Sequence, residues 1–386
     1  MDGILKKIKQ SDAFNRENRV PYLKVIVLMS LFTFVFLGAE FLFVNMISRI
    51  VSGHRSVAAQ NYALGVSAVG FVLYPLLCRF CKGNAQTSVS VCAAVISNAC
   101  LFLMCRSGSY TLTLIAGLLL FLILGVFGSA VFYKSLCLLE DNTHIARLTG
   151  ISYMLGTMLQ IANSNLVHID IAEAAILSVF IMLLALMLIR AEKNSVVPAL
   201  SKSEPDGGNG RESLKISVIL VFFVALMTCI FSTLDNAVTL IHASGEANIG
   251  QWPRVLLALS GLLAGFLFDT ASRKYMSIVM YCITVLSTTC LVILQFAGSF
   301  TVGLVIFYLA AGFFAVFFTV SFMEIARYTE TPELWAGLGR AVNNLVAVLI
   351  SGGSLALLNS GNNIAIITIE LLLFVLASVA AFAYMN

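Results

Sequence analysis

The sequence has very little charge for its length. Only 11% of its 386 residues are Asp, Glu, Lys or Arg, and 60% are hydrophobic. Soluble globular chains carry about 25% charged and roughly 45–50% apolar residues. A chain this apolar cannot bury its excess in water, because surface-to-volume scaling leaves too much of it exposed. The composition excludes a soluble enzyme, a disordered chain, a collagen-like repeat and a disulfide scaffold, and it indicates a polytopic membrane protein.

Several motifs that carry chemistry are also missing. The sequence contains no P-loop, no His-Glu-x-x-His pair and no serine elbow, and its four histidines do not cluster. Cys78 and Cys81 form an isolated CxxC with no second pair and no nearby His. The other cysteines fall almost entirely in apolar runs, where free Cys behaves as a small hydrophobe. We therefore expect no catalytic residues, no metal, no cofactor and no nucleic-acid partner.

Long apolar runs make up most of the chain. A membrane-spanning helix needs about 20 mostly apolar residues. The runs are continuous rather than alternating, which favours helices over the strands of a membrane barrel. We predict an all-α protein that crosses the lipid bilayer with twelve helices, at residues 23–48, 61–79, 86–104, 110–133, 146–166, 171–190, 216–241, 253–269, 275–297, 301–323, 336–358 and 363–385.

The basic residues indicate how these helices are oriented. With the N-terminus in the cytoplasm, 19 of the 23 Lys and Arg residues fall on the cytoplasmic side. Cytoplasmic loops are enriched in Lys and Arg, so this asymmetry and the even number of spans place both termini inside. The compact loops are typical of a protein of the bacterial inner membrane, and we expect a monomer.

A polar segment divides the chain into two parts. Residues 191–214 are rich in Ser, Gly, Pro and charge, as in a flexible linker. The predicted organisation is a cytoplasmic segment at 1–22, six spans in 23–190, the cytoplasmic linker and six spans in 215–386. The halves echo each other weakly, since an Ala-Val-Phe-aromatic run begins at Ala130 and again at Ala315. Six spans on each side of a linker match the parallel-repeat plan of one large transporter class.

One loop carries a motif that resembles a known family. Gly265 is followed four residues later by Asp269, and the basic pair Arg273-Lys274 comes after a short turn. This pattern resembles the cytoplasmic-loop signature of the major facilitator superfamily, and with the 6+6 layout the resemblance covers essentially the whole chain. It implies two six-helix halves that rock around a central site and move a small organic solute. It also implies that these four residues form a cytoplasmic latch favouring the outward-open state; the alternative is an ordinary charged turn.

The sequence departs from the family pattern in two places. The equivalent turn of the first half, residues 75–84, has basic residues but no acid. Span five lacks the Gly-Pro motif of drug-efflux members, which counts against a drug/proton antiporter. The expected function is secondary transport of a small organic solute, driven by protons or by the solute's own gradient. The alternative is a membrane sensor or scaffold with the same fold that does not transport.

Two carboxylates inside predicted spans are the candidates for proton coupling. A charge in the hydrocarbon core costs about 2.5–3.5 kcal/mol on insertion scales, so each one needs a reason. Glu40 lies in the outer third of span one and Asp235 lies late in span seven, the counterpart of span one in the family plan. A carboxylate in a partly dry cavity can bind and release a proton near neutral pH. The alternative is permanent pairing, of Glu40 with Arg49 and of Asp235 with Arg254.

Further polar residues are predicted to line a substrate cavity. Arg340 and Asn344 share one face of span eleven and could bind an anionic or hydroxylated solute. The alternative for Arg340 is a cytoplasmic-end residue that pairs with Glu324 or snorkels to lipid phosphates. Polar groups in hydrocarbon prefer a cavity or a hydrogen bond between helices. The other predicted cavity residues are Asn45, Tyr133, Tyr153, Gln160, Asn236 and Tyr308.

Overall fold

The computed structural model describes residues 19–51, 53–139, 144–194, 210–243, 252–270, 276, 278–285 and 300–385. Within these ranges the chain is built of helices joined by short turns. In chain order they are α1 (Arg19–Ile50), α2 (His54–Phe80), α3 (Asn84–Arg106), α4 (Tyr110–Leu138), α5 (Ile145–Leu166), α6 (Asp170–Asn194), α7 (Gly210–Ala243), a 3-10 turn (Trp252–Arg254), α8 (Val255–Thr270), α9 (278–285), α10 (Phe300–Ala326), α11 (Pro332–Asn359) and α12 (Asn363–Met385).

Each predicted span coincides with one of these helices. Among the described residues, ten helices are long and apolar enough to cross a membrane. Helix α5 is not among the ten, and its sequence includes the polar residues Gln160, Asn163 and Asn165. Of the predicted span 275–297, residues 276 and 278–285 are described, and they are helical. The protein is an all-α, multi-pass membrane protein, as its composition indicates.

Helical structure extends into both ends of the predicted linker. Helix α6 continues to Asn194 and α7 begins at Gly210, so helical structure enters the segment 191–214 from both sides. Its middle, residues 195–209, lies outside the described residues. Polar residues can continue a helix beyond the membrane, because outside the lipid the intrinsic helix propensity of the residues decides where the helix ends.

Each half is packed around its own aromatic and aliphatic side chains. In the first half α1 contacts α4, α5 and α6, while α2 and α3 pack on α4. Phe32 of α1 lies edge-on to both Phe71 of α2 and Phe132 of α4, with ring centroids 6.3 and 5.5 Å away. In the second half α7 contacts α11 and α12, and α10 contacts α8 and α11. Phe231 of α7 stacks on Phe314 of α10 at 4.6 Å.

Two pairs of helices make the most extensive contacts between the halves. Helix α2 packs along α11, and α5 packs along α8. At the second contact Gly150 and Gly265 face each other, and a methyl group added to Gly265 would lie 2.7 Å from the Gly150 Cα. Small residues permit this close approach of two backbones. The two seams run on either side of a space between the halves, and that space is the candidate site.

Candidate functional site

A polar cavity of about 210 Å³ lies between the two halves. A cavity that holds one water needs about 10–15 Å³ by the same kind of measure, so this one has room for a small solute. Helices α1, α2 and α5 of the first half and α7, α8, α10 and α11 of the second contribute to its wall. Its polar and charged side chains are Glu40, Gln60, Asn61, Tyr153, Thr228, Ser232, Asp235, Thr239, Arg254, Tyr308, Arg340, Asn343 and Asn344.

Four of these side chains are acidic or basic, namely two carboxylic acids and two arginines. Glu40 comes from α1, Asp235 from α7, Arg254 from the turn before α8 and Arg340 from α11. The Gln60 amide of α2 donates to a Glu40 carboxylate oxygen at 2.8 Å. Within the part of the chain that the structure describes, no ion pair joins any acid of this set to either arginine. The cavity therefore presents separate charges of both signs to whatever occupies it.

Both arginines stack on aromatic rings. The Arg254 guanidinium lies 5.0 Å from the ring centroid of Phe41 in α1. The Arg340 guanidinium lies 4.9 Å from Phe36 of α1 and 5.7 Å from Phe318 of α10. A cation–π contact stabilises a cation by about 0.5–2 kcal/mol, more so where little water is present. Because α1 belongs to the first half and both arginines to the second, these contacts also tie the halves together.

The structure bears on the alternatives for these charges. Arg49 makes its ion pair with Asp170 at the start of α6, which leaves Glu40 to its contact with Gln60. Arg254 lies near enough for its charge to act on Asp235, yet the two make no direct ion pair among the described residues. Arg340 points into the cavity.

Six predicted site residues lie together in this cavity, namely Glu40, Asp235, Tyr153, Tyr308, Arg340 and Asn344. Four predicted cavity residues do not line this cavity, and a role for them in solute binding stays a prediction. Asn45 is on α1 outside the wall, Tyr133 packs near Tyr74 at the other end of α4, and Gln160 donates to Ser164 on its own helix at 3.2 Å. Asn236 accepts from Asn61 at 2.8 Å and donates to Ser354 at 2.6 Å, so its polar atoms join helices.

A hydrogen-bond chain crosses between the halves beside the cavity. The Thr228 hydroxyl of α7 donates to Asn343 at 3.2 Å, and the Asn343 amide donates to Asn344 at 3.0 Å. Asn344 in turn donates to Ser67 of α2 at 2.8 Å. Buried amides of this kind need partners, and here the partners lie on opposite halves. The Asn344–Ser67 bond is the link of this chain that joins the halves, and it would break if the halves separated at this point.

Asp269 of the predicted gating motif lies at one end of the α5–α8 seam. Asp269, only 3% exposed, accepts from Arg147 at 3.0 Å and lies 3.2 Å from the His144 ring nitrogen. Both partners stand at the beginning of α5, so the contact joins the two halves. Arg327, just after α10, donates to the carbonyls of Leu136 and Leu139 at the end of α4. Arg273 and Lys274, the basic pair of the predicted motif, lie outside the described residues.

Sequence reasoning missed several cavity residues. Gln60 and Asn61 are adjacent amides at the beginning of predicted span two, a polar position that is itself a signal of function. From the sequence, Arg254 is expected to be a loop residue or a partner of Asp235. Its position at the mouth of a span gave no sign that it turns inward. Asn343 stood beside Arg340 and Asn344 in the sequence and belongs to the same wall.

The fold is that of known transporters. The fucose transporter FucP in its outward conformation superposes with a TM-score of 0.64 over 96% of this chain and 99% of its own, at 14% identity. The chain has the major facilitator superfamily fold. The human organic anion transporter MFSD10 gives 0.60 at 13% identity over 96% and 99% of the two chains. An auto-inhibited peptide transporter of the POT family gives 0.59 at 13% identity over 94% and 96%. No family model and no curated protein sequence matches the chain.

Proposed function

We propose that this protein is a secondary active transporter that moves a small organic solute across a bacterial cytoplasmic membrane by alternating access. The observation that carries the proposal is the polar cavity enclosed between two six-helix halves, with two acids and two arginines on its wall. Purely structural buried charges are normally paired, whereas these four are presented to a shared space. The superfamily fold supports the same function, since the solved structures that it resembles are transporters.

The contacts between the halves support alternating access. Asp269 with Arg147 and His144 closes one end of the molecule, while His54 and Asn359 approach to 3.3 Å at the other. Each of these contacts is a small set of hydrogen bonds that can break without disturbing the aromatic core of either half. A rigid-body movement about the two seams would therefore open one end at a time.

We further propose that Glu40 and Asp235 couple transport to protons. The two carboxylates come from corresponding helices of the two halves and face one cavity. Like charges in a confined, partly dry space repel each other, so binding one proton relieves the repulsion. Arg254 and Arg340 cannot take part as proton carriers because guanidinium stays charged. A solute that alters the surroundings of either acid would then change its proton occupancy.

The test is proton-driven uptake by purified protein in proteoliposomes. L-fucose, uridine, dialanine and benzoate are supplied under an imposed pH gradient, and proton entry is followed with a trapped dye. We expect at least one solute to enter together with protons. Glu40→Gln should abolish accumulation against a gradient but keep solute exchange at equilibrium, since the amide can keep the Gln60 hydrogen bond but cannot ionise.

Glu330→Gln is the matched control, because Glu330 is an exposed acid in the turn between α10 and α11. It should behave as the unaltered protein. Proton-driven uptake that survives in Glu40→Gln and in Asp235→Asn would refute proton coupling. Specific solute binding without any flux would instead support the sensor.

A further inference from the structure

Two arginines of the cavity have nitrogen atoms without a hydrogen-bond acceptor in the part of the chain that the structure describes. The Nε and NH1 atoms of Arg254 and the Nε atom of Arg340 are buried and have no hydrogen-bond partner among the described residues. A guanidinium carries five N–H donors and keeps its charge at any physiological pH. A buried charged donor without an acceptor is unfavourable by an amount comparable to a lost charge-assisted hydrogen bond. An acceptor from outside the protein, either water or a solute in the cavity, would relieve that penalty.

The acids of the cavity do not meet that need. Glu40 is held by the Gln60 amide at 2.8 Å. Among the described residues, no ion pair joins Glu40 or Asp235 to Arg254 or Arg340. If both acids serve as proton carriers, their protonated forms leave the two arginines as the only charges of the cavity. That state has a net positive charge, which favours an anionic occupant.

Aromatic rings lie against both arginines, although uncharged polar side chains also line the cavity. Arg254 lies on Phe41 and Arg340 lies on Phe36 and Phe318, while Phe231 and Phe314 form a stacked pair on the same wall. A binding site of this kind has predominantly apolar walls and a few fixed polar groups that orient the ligand. The occupant therefore needs an apolar body as well as acceptor oxygens.

We infer that the transported solute is a small organic anion, a carboxylate or a phosphate ester with an apolar body, whose oxygens accept hydrogen bonds from Arg254 and Arg340. This inference rests on the transport function proposed above and names the class of solute that the same cavity takes. Arginine suits both anions, since its planar fork matches the oxygens of carboxylate and phosphate alike.

The test compares aromatic probes of one size that differ in charge. Benzoate is paired with benzamide, phenyl phosphate with phenol, and benzylamine serves as the cation. Binding to the purified protein is measured by the shift of thermal unfolding, because a ligand of the folded state stabilises it by mass action. We expect the anion of at least one pair to stabilise the protein. The Kd of its neutral partner should be at least about tenfold higher. Comparing the benzoate pair with the phenyl phosphate pair shows whether the site prefers a carboxylate or a phosphate ester.

Variants then connect binding to the two arginines. Arg254→Gln and Arg340→Gln should each weaken the anion by about 10- to 100-fold, the loss expected for a hydrogen bond to a charged group. The lysine variants keep the charge and should lose less. Arg106→Gln, an exposed residue at the end of α3, is the matched control and should leave affinity unchanged.

The outcomes separate this inference from the transport function. Equal stabilisation by neutral and anionic probes, preference for benzylamine, or unaltered anion affinity in both glutamine variants would overturn the inference. So would the absence of any stabilisation by either anion. If both arginine variants carry a neutral solute at the normal rate, the anion inference is overturned but the proposed transport function is supported. Anion binding that depends on the arginines but produces no flux would support the inference and reject transport.

Discussion

Neutralising Asp269 should weaken the contact with Arg147 and His144 that joins the halves at one end of the α5–α8 seam. Its carboxylate is 3% exposed and accepts from Arg147 at 3.0 Å, while the Arg147 and His144 side chains are 27% and 17% exposed. Breaking a fully buried pair costs about 3–5 kcal/mol, and charge-assisted hydrogen bonds contribute about 1.5–3 kcal/mol. Since solvent reaches Arg147, we take a loss of about 2 kcal/mol for Asp269→Asn, which favours the open form about 30-fold.

The assay measures the separation of the two halves directly. In a cysteine-depleted background, spin labels at Arg79→Cys and Glu330→Cys mark exposed positions at the latch end of each half. Their distance distribution by pulsed electron paramagnetic resonance should gain a longer component in Asp269→Asn. Arg147→Gln should have the same effect, and the double variant should add little, because either substitution alone removes the contact.

Asp170→Asn is the matched control. Asp170 makes an ion pair of the same chemistry with Arg49, but both residues belong to the first half. Its loss should leave the distance between the labels unchanged. The reasoning would be refuted by an unaltered distribution in Asp269→Asn, or by strictly additive effects of the two latch substitutions on the population of the open form.

Two further substitutions test packing and buried charge. Gly265→Ala places a methyl group 2.7 Å from the Gly150 Cα and should destabilise the closed seam by about 1–3 kcal/mol, seen as a lower unfolding temperature, whereas Gly352→Ala has no neighbour within 4 Å and should be neutral. Glu370 of α12 is 2% exposed, and its carboxyl oxygens make no well-formed hydrogen bond among the described residues, although the Thr233 hydroxyl lies nearby. Glu370→Leu should therefore raise the unfolding temperature or leave it unchanged and keep uptake intact; a fall of several degrees would show that the acid has a structural partner.

Much of the site could be anticipated because charge in a membrane is rare. Glu40 and Asp235 stood out as acids in apolar spans, and the tertiary structure brings both to one cavity. Asn236 carried the same kind of signal, yet its amide joins α2 and α11 instead. A polar residue in a span has two possible destinations, a cavity or a neighbouring helix, and its sequence position does not distinguish them.

The sequence by itself determined the class of protein and the number of helices. Low charge, twelve apolar runs and 19 basic residues on one side follow from the cost of placing polar groups in lipid, which acts on each segment separately. The motif at Gly265 and Asp269 pointed to the family fold before any contact was known.

Only the tertiary structure decided which faces of the helices meet. Arg254 turns into the cavity over Phe41, and Asp269 finds Arg147 across 122 positions of sequence. Lipid and protein interior are both apolar, so a spanning helix has no strong pattern that fixes its rotation. The rotation is set by close approaches such as Gly150 against Gly265 and by the few hydrogen bonds between helices. Those contacts bring two acids and two arginines into one cavity.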